Sequence, residues 1–199
     1  MGSLSAPSAP TLLRLRVPAL LWVLWLIVVL IAPARGESRA PAAMVAESQI
    51  KAAFVCRFGN YIEWPATKAP TEGAFVIGAL TDRAGFDELT RAAAGRTVNG
   101  RPIVVRQLGA HDALDDVSIL YVARAHPAGL VETLAPLRQR PILTITEAEE
   151  AFSAGSIVNF VVVDDKVRFD IALSAAEQSN LKISGRLLAL ARKVVGAPS

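Results

Sequence analysis

The residue types that most often carry enzymatic chemistry are scarce in this chain of 199 residues. It contains one cysteine, Cys56, and two histidines, His111 and His126. Covalent catalysis needs a nucleophile beside a base, and both histidines fall in polar or proline-flanked stretches typical of surface loops. Cys56 falls in a predicted helix, where a small buried side chain is the simpler interpretation. A single cysteine excludes an intramolecular disulfide and a cysteine-based zinc site.

Pairs of adjacent carboxylates are the remaining candidates for acid–base chemistry. They occur as Asp115-Asp116, Glu149-Glu150 and Asp164-Asp165. Neighbouring residues point apart on helices and on strands, so these pairs do not converge on one substrate atom. The sequence also lacks a nucleophile-elbow motif and a glycine-rich phosphate loop. We therefore predict that the protein is not an enzyme and has no catalytic residues, no cofactor and no metal.

Four polar residues are candidates for contact with a partner instead. Arg57 and Asn60 lie on the predicted outward side of the first helix. Arg168 and Asp170 share one side of a strand whose other side is apolar, which indicates a half-exposed or edge strand. Unpaired backbone groups at an edge invite strand addition or dimerisation. Asn159 interrupts a neighbouring apolar strand, where it either ties strands together or lines a binding groove.

The charge balance gives no sign of nucleic-acid binding. Lys and Arg number 21 and Asp and Glu number 18, which leaves a formal charge of +3. Two of the cations, Arg14 and Arg16, precede a long apolar run, and the remainder of the chain holds no basic cluster. A nucleic-acid partner is therefore not expected.

The first 34 residues have the pattern of a secretory signal peptide. Arg14 and Arg16 precede an apolar core over 19–31, which ends in the small-residue exit Ala32-Pro33-Ala34. The alternative is a retained membrane anchor, although a span needs about 20 apolar residues. Either interpretation puts residues 35–199 outside the cytoplasm. We predict a periplasmic protein with its signal peptide cleaved after Ala34.

Cleavage at this site has a direct test. The mature protein is expected to begin at Arg35, because the cleavage signal ends at Ala34. Intact-mass analysis of the periplasmic fraction measures it. A mature species that still contains Trp22 and Trp25 would identify the segment as an anchor.

Hydrophobic periodicity divides the mature chain into a flexible lead-in, 35–46, and one domain, 47–199. Helices are predicted over 47–64, 86–94, 127–138, 147–154 and 184–195, and strands over 75–80, 101–108, 118–123, 141–146, 157–163 and 166–173. This alternation predicts a single-domain three-layer α/β sandwich with a mixed sheet of about six strands. The last two strands form an antiparallel hairpin. We expect Phe54, Phe169, Ile171 and Leu187 to be buried together.

Short sequence blocks along the mature chain resemble the YfiR-like family of bacterial periplasmic proteins. The first is Lys51-Ala52-Ala53-Phe54, followed by Glu63-Trp64-Pro65. Others are the segments 75–78, 95–103, 119–122 and 141–144. The C-terminal blocks, from Gly155 through Asn159-Phe160, 167–171 and 181–191, resemble the family most. No single block is specific, but their order across the chain is.

The resemblance implies a regulator without catalytic residues. The best-known members of this family repress an inner-membrane diguanylate cyclase through its periplasmic portion, and an outer-membrane partner can sequester the repressor. The implied outcome is control of cyclic di-GMP and biofilm formation. Arg57, Asn60, Arg168 and Asp170 are then the candidate partner contacts, and a homodimer is a further expectation. The alternative is a periplasmic small-molecule-binding module that serves transport or signalling.

Overall fold

The computed structural model describes residues 39–66, 73–109, 112–124 and 129–196. The unit that carries the fold spans residues 41–199. The helices of the described chain are α1 (Arg39–Phe58), α2 (Arg83–Ala93), α3 (Leu130–Leu134), α4 (Glu149–Ala154), α5 (Leu173–Gln178) and α6 (Gly185–Leu190). Its strands are β1 (Ile62–Glu63), β2 (Phe75–Leu80), β3 (Thr97–Val98), β4 (Arg101–Gln107), β5 (Val117–Val122), β6 (Leu143–Thr146), β7 (Val158–Val163), β8 (Lys166–Ala172), β9 (Lys182–Ile183) and β10 (Lys193–Val195).

One mixed sheet contains eight of these strands, in the order β10-β8-β7-β6-β5-β2-β4-β3. Each strand in the sheet order β4-β2-β5-β6-β7 is parallel to its neighbours in that run. Strand β8 runs antiparallel to β7 and parallel to β10. The short strands β1 and β9 form a separate antiparallel pair. The prediction of an α/β fold with a mixed sheet is confirmed, although the sheet has eight strands rather than about six.

The sheet separates two apolar cores, because successive side chains on a strand point to opposite faces. On β5, Ile119 and Tyr121 join the core that contains α1 and α2. Leu120 and Val122 join the core that contains α3 and α4. Helices therefore cover both faces, as the predicted three-layer arrangement requires.

Aromatic rings fix α1 to the hairpin half of the sheet. The ring centroid of Phe169 lies 5.1 Å from that of Phe58 and 5.6 Å from that of Phe54. The prediction of a shared core is confirmed, since Phe169, Ile171 and Leu187 are buried in one cluster. Phe54 is only partly buried but packs against the same cluster.

The predicted hairpin is confirmed, and its turn has an unusual backbone. β7 and β8 pair from Val158–Ile171 to Val163–Lys166. Asp164 and Asp165 both have positive φ, 50° and 56°. Two such residues in a row define the type I′ turn, whose twist matches that of the flanking strands.

Both ends of the domain differ from the sequence-based expectation. The first helix was predicted over 47–64, but α1 ends at Phe58, and Ile62 pairs with Ile183 in the β1–β9 ladder. α1 also begins at Arg39, so residues 39–46 of the expected lead-in are helical. The last helix was predicted over 184–195, yet α6 ends at Leu190, and Val194 pairs with Ile171 as part of β10. At residues 62–63 and 193–195, a pairing distant in sequence replaces the local helical preference.

Candidate functional site

The outward side of α1 is one candidate partner surface, because it groups three exposed residues. Ile50 and Arg57 are exposed on α1, and Asn60 is exposed in the 3₁₀ turn that follows it. Spacings of seven and three residues bring them to one side of a helix. The opposite side contains Val55 and Phe58, which are buried against the sheet. We call Ile50, Arg57 and Asn60 the outer surface of α1.

The second predicted surface, the outer edge of β8, is largely closed. β10 pairs with β8 from Asp170 to Ala172, and the backbone N–H of Arg192 donates to the carbonyl of Phe169. Asp170 is buried, and its Oδ1 accepts a hydrogen bond from Arg192 Nε at 2.8 Å. The prediction that Asp170 points outward from an open edge is therefore wrong. The strand β10 that covers it was absent from the predicted sheet.

Arg168 is exposed at the part of β8 that β10 does not reach. Its guanidinium donates to the carbonyl of Val167 at 3.4 Å. A basic side chain over an edge carbonyl is one way in which natural sheets hinder the addition of another strand. This geometry favours a protected edge over a docking edge.

The two predicted pairs lie on opposite sides of the sheet. Phe169 faces α1, so its neighbours Arg168 and Asp170 point to the other face. Arg57 and Asn60 belong to the α1 layer. The structure therefore brings Arg57 together with Asn60 but does not join them to Arg168. The partner-binding role of each stays a prediction.

A buried polar cluster that sequence reasoning missed lies between α1 and the sheet. The Lys51 ammonium is 2.8 Å from Glu147 Oε2 and also pairs with Glu47. The Tyr121 hydroxyl donates to Glu147. Lys51 and Tyr121 are buried, at 4% and 7% exposure. The signal in the sequence was Lys51 itself, because it stands on the apolar stripe of α1, four residues before Val55.

Secondary structure explains why these groups meet. β5 and β6 are parallel neighbours, so their carboxyl ends lie at the same edge of the sheet. Tyr121 stands near the end of β5, and Glu147 follows β6 directly. Burial, and then the carboxylate of Glu147, raises the pKa of Tyr121, so its hydroxyl remains a donor. The carboxyl edge of a parallel sheet is where α/β folds most often place functional groups.

Asn159 belongs to a different polar cluster, on the face of the sheet away from α1. Its Oδ1 lies 2.9 Å from Thr146 Oγ1, which lies 2.8 Å from Ser156 Oγ. All three residues are buried. Of the two roles left open for Asn159, this arrangement supports the one in which it ties β6 to β7.

A sequence profile described as YfiR/HmsC-like matches residues 48–192. The match runs from within α1 to the residue before β10, which is more than half of the chain. The chain belongs to the YfiR/HmsC-like family. The matched range includes Lys51, Tyr121 and Glu147 as well as the outer surface of α1. The predicted family is thereby confirmed, and members of this family regulate cyclic di-GMP cyclases in bacteria.

Other comparisons add a distant structural likeness. None of the curated proteins matches this YfiR/HmsC-like chain. Among solved structures it is similar to a conserved domain protein from Vibrio cholerae O1 biovar El Tor, with 14% identity and a TM-score of 0.46. The alignment covers 60% of this chain and 54% of the Vibrio chain, so it spans about half the length of that protein.

The parts of this YfiR/HmsC-like domain that the structure describes contain no cluster of three or more His, Cys, Asp or Glu residues able to hold a metal ion. His111 and His126 lie outside the described residues, as does the predicted signal peptide, 1–34. Within the described ranges, no helix is long and apolar enough to cross a membrane.

Cys56 is expected to react slowly with thiol reagents in the folded protein. Its side chain is buried, and burial raises the pKa of the thiol to about 11. The thiolate is the nucleophile, so roughly one molecule in ten thousand is reactive at pH 7. Absorbance after addition of an aromatic disulfide reagent measures the rate. Reaction should be complete within minutes in denaturant, and an equally fast reaction in native buffer would contradict the buried position.

Proposed function

We propose that the mature protein is a non-enzymatic periplasmic regulator that binds the periplasmic portion of an inner-membrane diguanylate cyclase and lowers its output. The observation that carries the proposal is the family match over residues 48–192, which includes almost every element of the domain. The sequence of an exported domain without a recognisable catalytic motif agrees with a regulatory role. Lower cyclic di-GMP would in turn reduce biofilm formation.

The outer surface of α1 is the contact surface that we propose for this partner. Ile50 is 46% exposed, although it is a large apolar residue, and it shares one helix side with Arg57 and Asn60. An apolar residue bordered by an arginine and an amide has the composition of a protein–protein interface. α1 is also held rigidly by aromatic packing against Phe160 and Phe169. Rigid presentation lowers the entropic cost of binding.

Two further partners stay predictions. An outer-membrane protein that sequesters the regulator would free the cyclase, and a homodimer could bring two copies of α1 to one receptor. Neither requires the β8 edge, whose carboxyl-terminal half is paired with β10.

Deleting the gene should raise cyclic di-GMP, and restoring the exported protein should return it to the parental concentration. The nucleotide is measured by mass spectrometry of cell extracts. The matched control is the same protein without residues 1–34, which should have no effect because it stays in the cytoplasm. Unchanged cyclic di-GMP on deletion would contradict the proposed function.

A further inference from the structure

The aliphatic part of the packing of α1 on the sheet has little directional preference. Val55 and Phe58 contact a broad aromatic and aliphatic surface that includes Phe160 and Phe169. Apolar burial is proportional to area and has no preferred orientation. Burial of apolar area alone therefore discriminates weakly between positions of α1 that differ by one turn, about 5.4 Å. A contact specific to one position would add to the selection made by the ring packing and by the β1–β9 pair that follows α1.

The ion pair of Lys51 with Glu147 is such a contact. Their side chains are 5% and 8% exposed, so both charges have lost most of their water. A buried pair adds little net stability, because desolvation offsets the attraction, but a buried charge without its partner is strongly unfavourable. A displaced α1 would leave the Glu147 carboxylate without its ammonium. The observed position of α1 is thus favoured over displaced positions, because each of those would leave the buried carboxylate of Glu147 unpaired.

Tyr121 ties the same cluster to the centre of the sheet. It lies on β5, pairs in register with Ile145 of β6 and donates its hydroxyl to Glu147. Glu47 accepts from Lys51 on the α1 side, one helical turn before it. Three elements, α1, β5 and the end of β6, are therefore joined by one hydrogen-bonded group.

We infer that Lys51, Glu147 and Tyr121 form a polar latch that fixes the register of α1 on the sheet. These are positioning residues, since their side chains are buried within the domain. The latch also determines where the outer surface of α1 is presented, and this last step rests on the proposed function.

The inference is tested by a distance between spin labels on α1 and on β8. Labels are attached at Arg57→Cys and Lys166→Cys, two exposed positions, in a Cys56→Ala background. The parent should give one narrow distance distribution by pulsed electron paramagnetic resonance. The double variant Lys51→Met/Glu147→Gln removes both charges with little change in volume. It should shift or broaden the distribution by about 5 Å, one helical turn.

The matched control is Arg83→Met/Asp87→Asn, which removes an ion pair from α2 whose side chains are 78% and 46% exposed. It should leave the distances unchanged. Tyr121→Phe removes one hydrogen bond and keeps both charges, so it should fold and broaden the distribution less. Tyr121→Phe therefore keeps the test decisive if the double variant does not fold.

Unchanged distances in a folded double variant, or in Tyr121→Phe if only that one folds, would overturn the latch. Because the distance involves no cyclase, its outcome is independent of the proposed function. In a chain that keeps Cys56 and Arg57, Lys51→Met/Glu147→Gln should also repress cyclic di-GMP at least several-fold less than the unsubstituted protein. A shifted distance with full repression would support the latch and contradict the use of α1 as the contact surface.

Discussion

Replacing Phe169 with alanine is expected to lower the free energy of unfolding by roughly 3–5 kcal/mol. Phe169 is 3% exposed, and its ring lies against Phe54 and Phe58 of α1. Truncation removes the buried ring and leaves a cavity where α1 meets the hairpin. Domains of this size are stable by about 5–15 kcal/mol, so the variant should be near the limit of folding. Urea denaturation followed by circular dichroism measures the change.

Two controls separate a cavity effect from a general sensitivity of the hairpin. Phe169→Leu keeps most of the volume and should cost less than half as much as the alanine variant. Val162→Ala changes a residue of β7 that is 42% exposed and should lower stability by no more than about 1 kcal/mol. Equal losses for Val162→Ala and Phe169→Ala would remove Phe169 from the core that we describe.

Reversing the charge at Arg57 is expected to weaken binding to the cyclase by about 30-fold or more, the size of effect seen at interface hot spots. Arg57 is exposed and makes no contribution to the α1 core, so Arg57→Glu should fold normally. Loss of cyclic di-GMP repression at unchanged protein abundance is the readout. Unfolding measured in parallel excludes a stability effect.

Arg168→Glu is the matched control, because it makes the same change at an exposed arginine on the other side of the sheet. It should leave repression intact. Loss of repression by Arg168→Glu alone would transfer the contact surface from α1 to β8.

Local patterns were sufficient to predict the elements whose conformation depends on neighbouring residues. The strand Phe75–Leu80 is found with its predicted bounds, and β4 and β5 differ from prediction by a residue at one or both ends. The hairpin followed from alternation along β8 and from its aspartate turn. The burial of Cys56 in α1 also agrees with its interpretation as a small core residue.

Elements that depend on distant partners could not be predicted in this way. Residues 193–195 continue the apolar spacing of α6, and they form a strand only because β8 offers an edge there. The burial of Asp170 has the same origin, since Arg192 reaches it from the segment that leads into β10. The cluster around Lys51 required the order of β5 and β6 in the sheet, which no local pattern contains.

The regulatory account is tested most directly in spheroplasts of the deletion strain, whose inner membrane exposes its periplasmic side. Purified mature protein, residues 35–199, is added outside, and intracellular cyclic di-GMP is measured. We expect the nucleotide to fall with added protein and to saturate, while Arg57→Glu protein has little effect at the same concentration. Cyclic di-GMP that does not respond to the added folded protein would contradict the account.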